Sequence, residues 1–251
     1  MFGWFSKKID AAGIEKHGRS LANKRSQAPD RWDSMQSLNG VLKDPKNAPE
    51  NAASLVTSAL LPRFTYYTDP TISDGEEKEY AFRLIVEAGE GAVEPVRQFM
   101  RRAESLTWPL KMLERLQSQE QVTTELLALL EPMDVDYERD PQRKLQILQA
   151  LEERVDARIG AAVLRFVTDA NETARFHAVG ALLVQTDVEA SREALQEVLL
   201  KEESARVKVR VLELFQKRSW DLAQLRPQLE RQLPTGWSFD AKAVPQARAL
   251  R

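Results

Sequence analysis

Basic side chains recur along this chain at a nearly constant interval of 33, 33, 31 and 31 residues. They are Lys78, Lys111, Lys144, Arg175 and Arg206. Such a row of cations could bind phosphate groups or the carboxylates of an acidic partner. Alternatively each base pairs with an acid of its own or the neighbouring loop, since every base except Lys111 follows an acid by a few residues. We favour ion pairs that set the register of a repeated unit, and keep all five bases as candidate partner-binding residues.

Side chains that could perform catalysis or ligate a metal are few. The chain has no cysteine, and its two histidines, His17 and His177, lie far apart. Disulfides, thiolate metal sites and a cysteine nucleophile are thereby excluded, and a histidine metal centre is implausible. No glycine-rich phosphate loop, G-x-S-x-G or H-E-x-x-H motif is present. We therefore predict a protein that is not an enzyme, with no catalytic residue, no metal and no cofactor.

Composition favours an ordinary globular protein of 251 residues, with 43% apolar and 29% charged residues and a net charge of −2. The absence of a basic excess argues against a nucleic-acid partner. No apolar run approaches the roughly 18 residues that span a bilayer. The short apolar start, which is followed by two lysines, does not fit a secretory signal. The prediction is a cytoplasmic protein.

The first residues combine aromatic and basic side chains. Phe2, Trp4 and Phe5 are followed by Lys7 and Lys8. They could form an amphipathic anchor for an anionic membrane surface or for the groove of a partner. The alternative, which we favour, is a helix that caps the end of the helical array and covers its apolar surface. Residues 1–29 are accordingly predicted to be an appendage.

The spacing of apolar residues predicts helices through most of the chain. Phe176, Val179, Leu182 and Leu183 form one apolar stripe of helical period. Each helix that begins at a periodic base is predicted to pair with a second helix. These second helices are expected at 92–103, 122–131, 158–167, 189–200 and 222–233. The prediction is an all-α chain of antiparallel hairpins, and a fixed period of this size is typical of a solenoid.

The order of residues at 158–185 resembles a HEAT repeat. A helix is followed by Asp169, and Arg175 opens a second helix six residues later. The resemblance implies an α-solenoid of about five to six helical hairpins in a right-handed superhelix over 30–233, with 234–251 as a loose tail. It also implies that the helices opened by basic residues line the concave face.

Most HEAT-repeat proteins bind other macromolecules and perform no chemistry. The resemblance therefore implies a protein-binding scaffold or adaptor that uses its concave face. Two alternatives stay open. One is a membrane-surface adaptor that is tethered by the aromatic and basic N-terminus. The other is a HEAT-like nucleic-acid-binding protein, which the slightly acidic composition disfavours.

The period is broken once, between Arg31 and Lys78, which lie 47 residues apart. The residues by which this interval exceeds the later ones fit a loop at residues 62–75, which we call the aromatic loop. Its candidate partner-binding residues are Arg63, Tyr66 and Tyr67, because tyrosine and arginine are frequent hot spots at interfaces. The alternative is that these side chains pack locally over the break in the period.

Overall fold

The computed structural model describes residues 9–248 and confirms the all-α class. Over these residues the chain forms thirteen α-helices, several short 3₁₀ turns and one small β-hairpin. The chain divides into two compact units, one ending at Val122 and the other beginning at Thr123. In the described part of the chain, no helix is both long enough and apolar enough to cross a membrane.

The first unit is built from helices that pack in adjacent pairs. Its helices are α1 (Ala11–Ala22), α2 (Ala28–Lys43), α3 (Ala52–Leu60), α4 (Thr71–Glu87), α5 (Val93–Arg102) and α6 (Thr107–Leu116). The division between the units falls within α7 (Gln119–Leu130), most of which belongs to the second unit. Helix α1 packs on α2 and α3, and its Ile14 and Leu21 are buried. A Cβ atom at Gly18 would lie 3.0 Å from the Cα of Ala59, so α1 and α3 pack closely where these residues meet. Helix α4 packs against α6.

The aromatic loop is shorter than the sequence predicts. A 3₁₀ turn, Leu61–Thr65, continues directly from α3, and α4 already begins at Thr71. Only residues 66–70 between them lack helical structure. The aromatic side chains therefore lie on a short, defined connection.

In the second unit, three helices lie in a row. The unit contains α8 (Gln142–Leu151), α9 (Ala157–Leu164), α10 (Glu172–Val184), α11 (Arg192–Lys201), α12 (Ala205–Arg218) and the short α13 (Arg226–Leu229). Helix α10 packs against α8 and α12. It begins where the side chain of Asn171 accepts hydrogen bonds from the amides of Thr173 and Ala174. Of the predicted apolar stripe of α10, Val179 and Leu182 are fully buried, whereas Phe176 and Leu183 are half-buried.

Four of the five predicted second helices are present as α5, α7, α9 and α11, with ends that differ by no more than three residues. The fifth prediction, a helix over 222–233, is wrong. Only α13 forms there, and it begins at Arg226 because Pro227 fits the first turn of a helix. The apolar spacing of this segment instead anchors a compact turn that buries Leu222 and Leu229.

The segment predicted to be a loose tail is ordered up to residue 248. Strands β1 (Trp237–Phe239) and β2 (Pro245–Ala247) pair in antiparallel fashion, and β2 packs against α12. The carboxylate of Asp240 accepts hydrogen bonds at 2.8 Å from the amides of Lys242 and Val244, which closes the turn. The hairpin buries Trp237 and Val244, which explains why it stays on the helices.

Candidate functional site

All five periodic bases lie in ion pairs, and two of the bases are buried. The amine of Lys144 lies 2.8 Å from Asp169 and 3.1 Å from Glu138, and the Lys144 side chain is 1% exposed. The amine of Lys78 lies 2.7 Å from Asp74. Asp74 is the acid that precedes Lys78, as the sequence suggests, whereas Lys144 takes its carboxylates from other positions. Both amines are therefore enclosed within the fold and do not face a partner.

Two further periodic bases pair with an acid of the adjacent helical hairpin. Two of the three nitrogens of the Arg175 guanidinium donate hydrogen bonds to the carboxylate of Glu202, at 2.7 and 3.0 Å. Arg206 lies 2.7 Å from Glu172. The preceding acid, Glu202, is thus the wrong partner for Arg206, because Glu202 is engaged by Arg175 and the adjacent helix supplies Glu172 instead. Burial, the largest single effect, would raise the pKa of Glu202, but the hydrogen bonds from Arg175 and from the amides of Ser204 and Glu203, together with the charge of Arg175, lower that pKa overall.

The aromatic loop rests on a buried charge cluster, which consists of Arg31, Arg63, Asp74, Glu77 and Lys78. The guanidinium of Arg63 lies 2.7 Å from both Asp74 and Glu77 and is completely buried. Arg31 bonds Glu77 through two nitrogens at 2.7 and 2.8 Å. Burial, the largest single effect, would raise the pKa of Glu77, but the hydrogen bonds and the charges of Arg31 and Arg63 together hold that pKa below its usual value. The cluster holds three cations against two carboxylates and so keeps an excess positive charge.

This burial changes the interpretation of two candidate residues. Arg63 is engaged by the cluster, and Tyr66 is 4% exposed with its hydroxyl donating a 2.6 Å hydrogen bond to the carbonyl of Leu21. Both side chains hold the loop against α1 and α4 and offer no surface to a partner. The local-packing alternative therefore describes Arg63 and Tyr66.

Tyr67 differs from its neighbours because it faces outward. Its side chain is 85% exposed. Its ring covers the amine of Lys78, which lies 3.7 Å from the ring centroid. Among the large apolar side chains of the described residues, only a few are exposed to this degree, and Tyr137 of the second unit is another, at 84%.

Tyr67 borders a cleft of about 540 Å³ in the first unit. We call it the aromatic cleft, and its aromatic lining consists of Phe64, Tyr67, Phe99 and Trp108. The rings of Phe64 and Trp108 contact one another at a tilted angle, with centroids 5.0 Å apart. Phe64, Phe99 and Trp108 are half-buried, so each ring leaves part of its face open to an occupant.

Two cations border the aromatic cleft without an acidic partner among residues 9–248. They are Lys24, in the link between α1 and α2, and Arg102, the last residue of α5. One acid, Glu104, also contributes to the lining. Lys111, the remaining periodic base, stacks over the Trp108 ring at 4.8 Å and is paired with Glu79. The cleft therefore has unpaired positive charge next to aromatic surface.

The aromatic cleft is assembled from connections between helices. Phe64 lies on the 3₁₀ turn after α3, and Trp108 lies in the first turn of α6. Phe99 and Arg102 lie in the last turn of α5, and Lys24 lies in the α1–α2 link, so the cleft draws on four structural elements. The sequence pattern points only to the aromatic loop. Two sequence signals could have located the remaining lining residues. They are the basic residues in the last turn of α5 and the aromatic residue in the first turn of α6.

Chemically, this arrangement can bind and orient a ligand. Stacking and cation–π contacts on the exposed rings suit aromatic or apolar side chains, and the two cations suit an anion. Within the described ranges, no group of three or more histidine or acidic side chains is placed to hold a metal ion. The predicted anchor residues Phe2, Trp4, Phe5, Lys7 and Lys8 lie outside the described residues.

Fold and cleft together define an all-helical protein with an aromatic, positively charged depression on its first unit. No known family model matches the chain, and no curated protein or solved structure shows significant similarity to it.

Proposed function

We propose that this protein is a non-enzymatic scaffold or adaptor that holds a segment of a protein partner in the aromatic cleft. The observation that carries the proposal is the exposure of several aromatic rings around one cleft. Exposed aromatic side chains are costly to leave in water and are enriched at the centres of protein interfaces. Tyr67 is the clearest case, since this residue is 85% exposed and lines the same cleft as the half-buried Trp108.

The size of the cleft supports a short peptide segment as its occupant. A volume of about 540 Å³ lies within the roughly 300–1,000 Å³ range of ligand-binding pockets. It accommodates a few side chains, and the neighbouring loop surface is available to the flanking backbone. The rigid attachment of the loop through Arg63 and Tyr66 supports the proposal, because a preformed site loses little entropy on binding.

We also propose that the helical hairpins are HEAT-like repeats that stack within each unit. Side-chain hydrogen bonds of the second unit support this, because they recur at sequence separations close to the repeat period. Lys217 donates to the carbonyl of Leu183, and Arg165 donates to that of Leu130, at separations of 34 and 35 residues. In both cases a cation of one hairpin donates to a carbonyl in the last turn of an earlier helix, where the negative end of the helix dipole favours positive charge.

Selection from a random peptide library tests the proposed function before any partner is identified. The library displays peptides of about eight residues, which extend to roughly 25 Å. The full chain is expected to enrich a consensus that Tyr67→Ala and Trp108→Ala each bind at least about tenfold more weakly, because each truncation removes a stacking surface.

Tyr137→Ala is the matched control, since Tyr137 is an equally exposed tyrosine that does not line the cleft. This variant should retain the affinity of the unmodified chain. Two results would refute the aromatic cleft as the binding site. One is that the library yields no enriched peptide, and the other is that the Tyr67, Trp108 and Tyr137 variants bind the selected peptide equally well.

A further inference from the structure

We infer that the segment bound in the aromatic cleft is acidic, and that Lys24 and Arg102 bind its carboxylates. This inference rests on the proposed function and adds the chemical class of the partner segment. It predicts a ligand in which aspartate or glutamate lies next to an aromatic or large apolar residue. The rings would take the apolar side chain, and the two cations would take the neighbouring carboxylates.

The contrast between these cations and the periodic bases carries the inference. All five periodic bases are already paired with carboxylates, as shown for Lys144 and Arg175. Lys24 and Arg102 border the same cleft, and no acidic partner is present for either among the described residues. Because Lys24 comes from the α1–α2 link and Arg102 from the end of α5, the fold brings together two positive charges that are distant in sequence.

The surroundings increase the preference for an anion. The buried charge cluster under Tyr67 holds three cations against two carboxylates, and water screens a buried charge less than an exposed one. Arginine also orients the carboxylate that it binds, since its guanidinium can donate hydrogen bonds to both carboxylate oxygens at once. An acidic segment would therefore be attracted to the cleft and also oriented in it.

The same features favour a peptide over a nucleic acid. A single strand is bound through a continuous basic groove that follows many phosphates. Here two free cations flank one cleft, Glu104 lies in its lining, and the whole chain carries a net charge of −2. A short segment with one or two carboxylates matches this limited charge, whereas a longer polyanion would meet the acidic remainder of the surface.

The test uses the same library, selected in parallel with the full chain and with the double variant Lys24→Glu, Arg102→Glu. The unmodified chain should enrich acidic residues beside aromatic ones. The best peptide should lose about ten- to a hundredfold in affinity for the double variant, and a similar amount when its acids are replaced by their amides.

Lys43→Glu, Lys46→Glu is the charge-matched control, because both lysines are residues of the first unit that do not line the cleft. It changes the net charge by the same amount and should alter the affinity no more than about twofold, a long-range effect that salt screens. An equal loss in both double variants would show a nonspecific charge effect and overturn the inference. Enrichment of neutral or basic peptides would also overturn it.

Two outcomes separate this inference from the proposed function. If Trp108→Ala abolishes peptide binding but the double variant Lys24→Glu, Arg102→Glu does not, the cleft is the binding site and the inferred preference for acidic segments is wrong. If Trp108→Ala binds normally, the site itself is wrong. A single-stranded RNA oligonucleotide that displaces the peptide at equal concentration at about 150 mM salt would overturn the assignment of a peptide as the ligand.

Discussion

Replacing Glu77 by glutamine is expected to destabilise the first unit strongly. The carboxylate of Glu77 is fully buried and accepts hydrogen bonds from both Arg31 and Arg63 at 2.7–2.8 Å. Neither guanidinium can release its proton at an accessible pH, so both would stay charged after the substitution. Only Asp74 would remain to balance the cations of the cluster. Removing one partner of a buried ion pair costs roughly 3–5 kcal/mol of unfolding free energy, and we expect a loss of that order.

Glu79→Gln is the control, two residues along the same helix. Glu79 pairs with Lys111 at the same 2.7 Å separation, but the two side chains are 52% and 42% exposed. Water screens this pair, and its loss should cost roughly 0–1 kcal/mol. Urea unfolding of both full-length variants, followed by circular dichroism at neutral pH, measures the two costs. Equal losses, or a loss below about 1 kcal/mol for Glu77→Gln, would refute the described burial of the charge cluster.

Three further predictions concern the second unit. Replacing glycine by alanine within a helix usually raises the free energy of unfolding by roughly 1 kcal/mol. Gly180→Ala should lack this gain, because a Cβ there would lie 2.1 Å from a guanidinium nitrogen of Arg210. A full gain, measured by urea unfolding, would contradict that contact. Leu182→Ala should cost roughly 2–5 kcal/mol, since Leu182 is completely buried, and a loss near zero would show that another face of α10 is buried. The lowered pKa of Glu202 means that its pairing with Arg175 contributes stability at neutral pH that is lost on acidification. The stability difference between the unmodified chain and Glu202→Gln should therefore shrink below roughly pH 4.3; a difference that grows on acidification would contradict this pairing.

Helical periodicity is sufficient to predict the class of the fold and most of its helices. The stripe through Val179 and Leu182 identifies the buried face of α10, because the core selects apolar residues at the helical period. The same signal fails over 222–233, where Pro227 and a compact turn use apolar residues without forming a long helix. The β-hairpin at 237–247 escapes prediction because its strands are only three residues long and its turn depends on Asp240.

Ion-pair partners cannot be predicted reliably from neighbouring residues. The sequence suggests that Arg206 bonds the acid four residues before it, yet its partner is Glu172 on the adjacent helix. Periodicity specifies which residues recur, but the distance between two side chains depends on how the helices pack. The same limit applies to the aromatic cleft. The aromatic loop is visible in the sequence, whereas the approach of Lys24 and Trp108 to it depends on the fold.

The central claim is that the aromatic cleft of the first unit binds a partner segment, and hydrogen exchange measured by mass spectrometry tests it most directly. The unmodified chain is compared with and without a saturating amount of the peptide selected from the library. We predict slower amide exchange in residues 64–68 and 102–109, which carry most of the cleft lining, and unchanged exchange around α10 and α12. Protection confined to α10 and α12, with none near Tyr67 or Trp108, would contradict the claim.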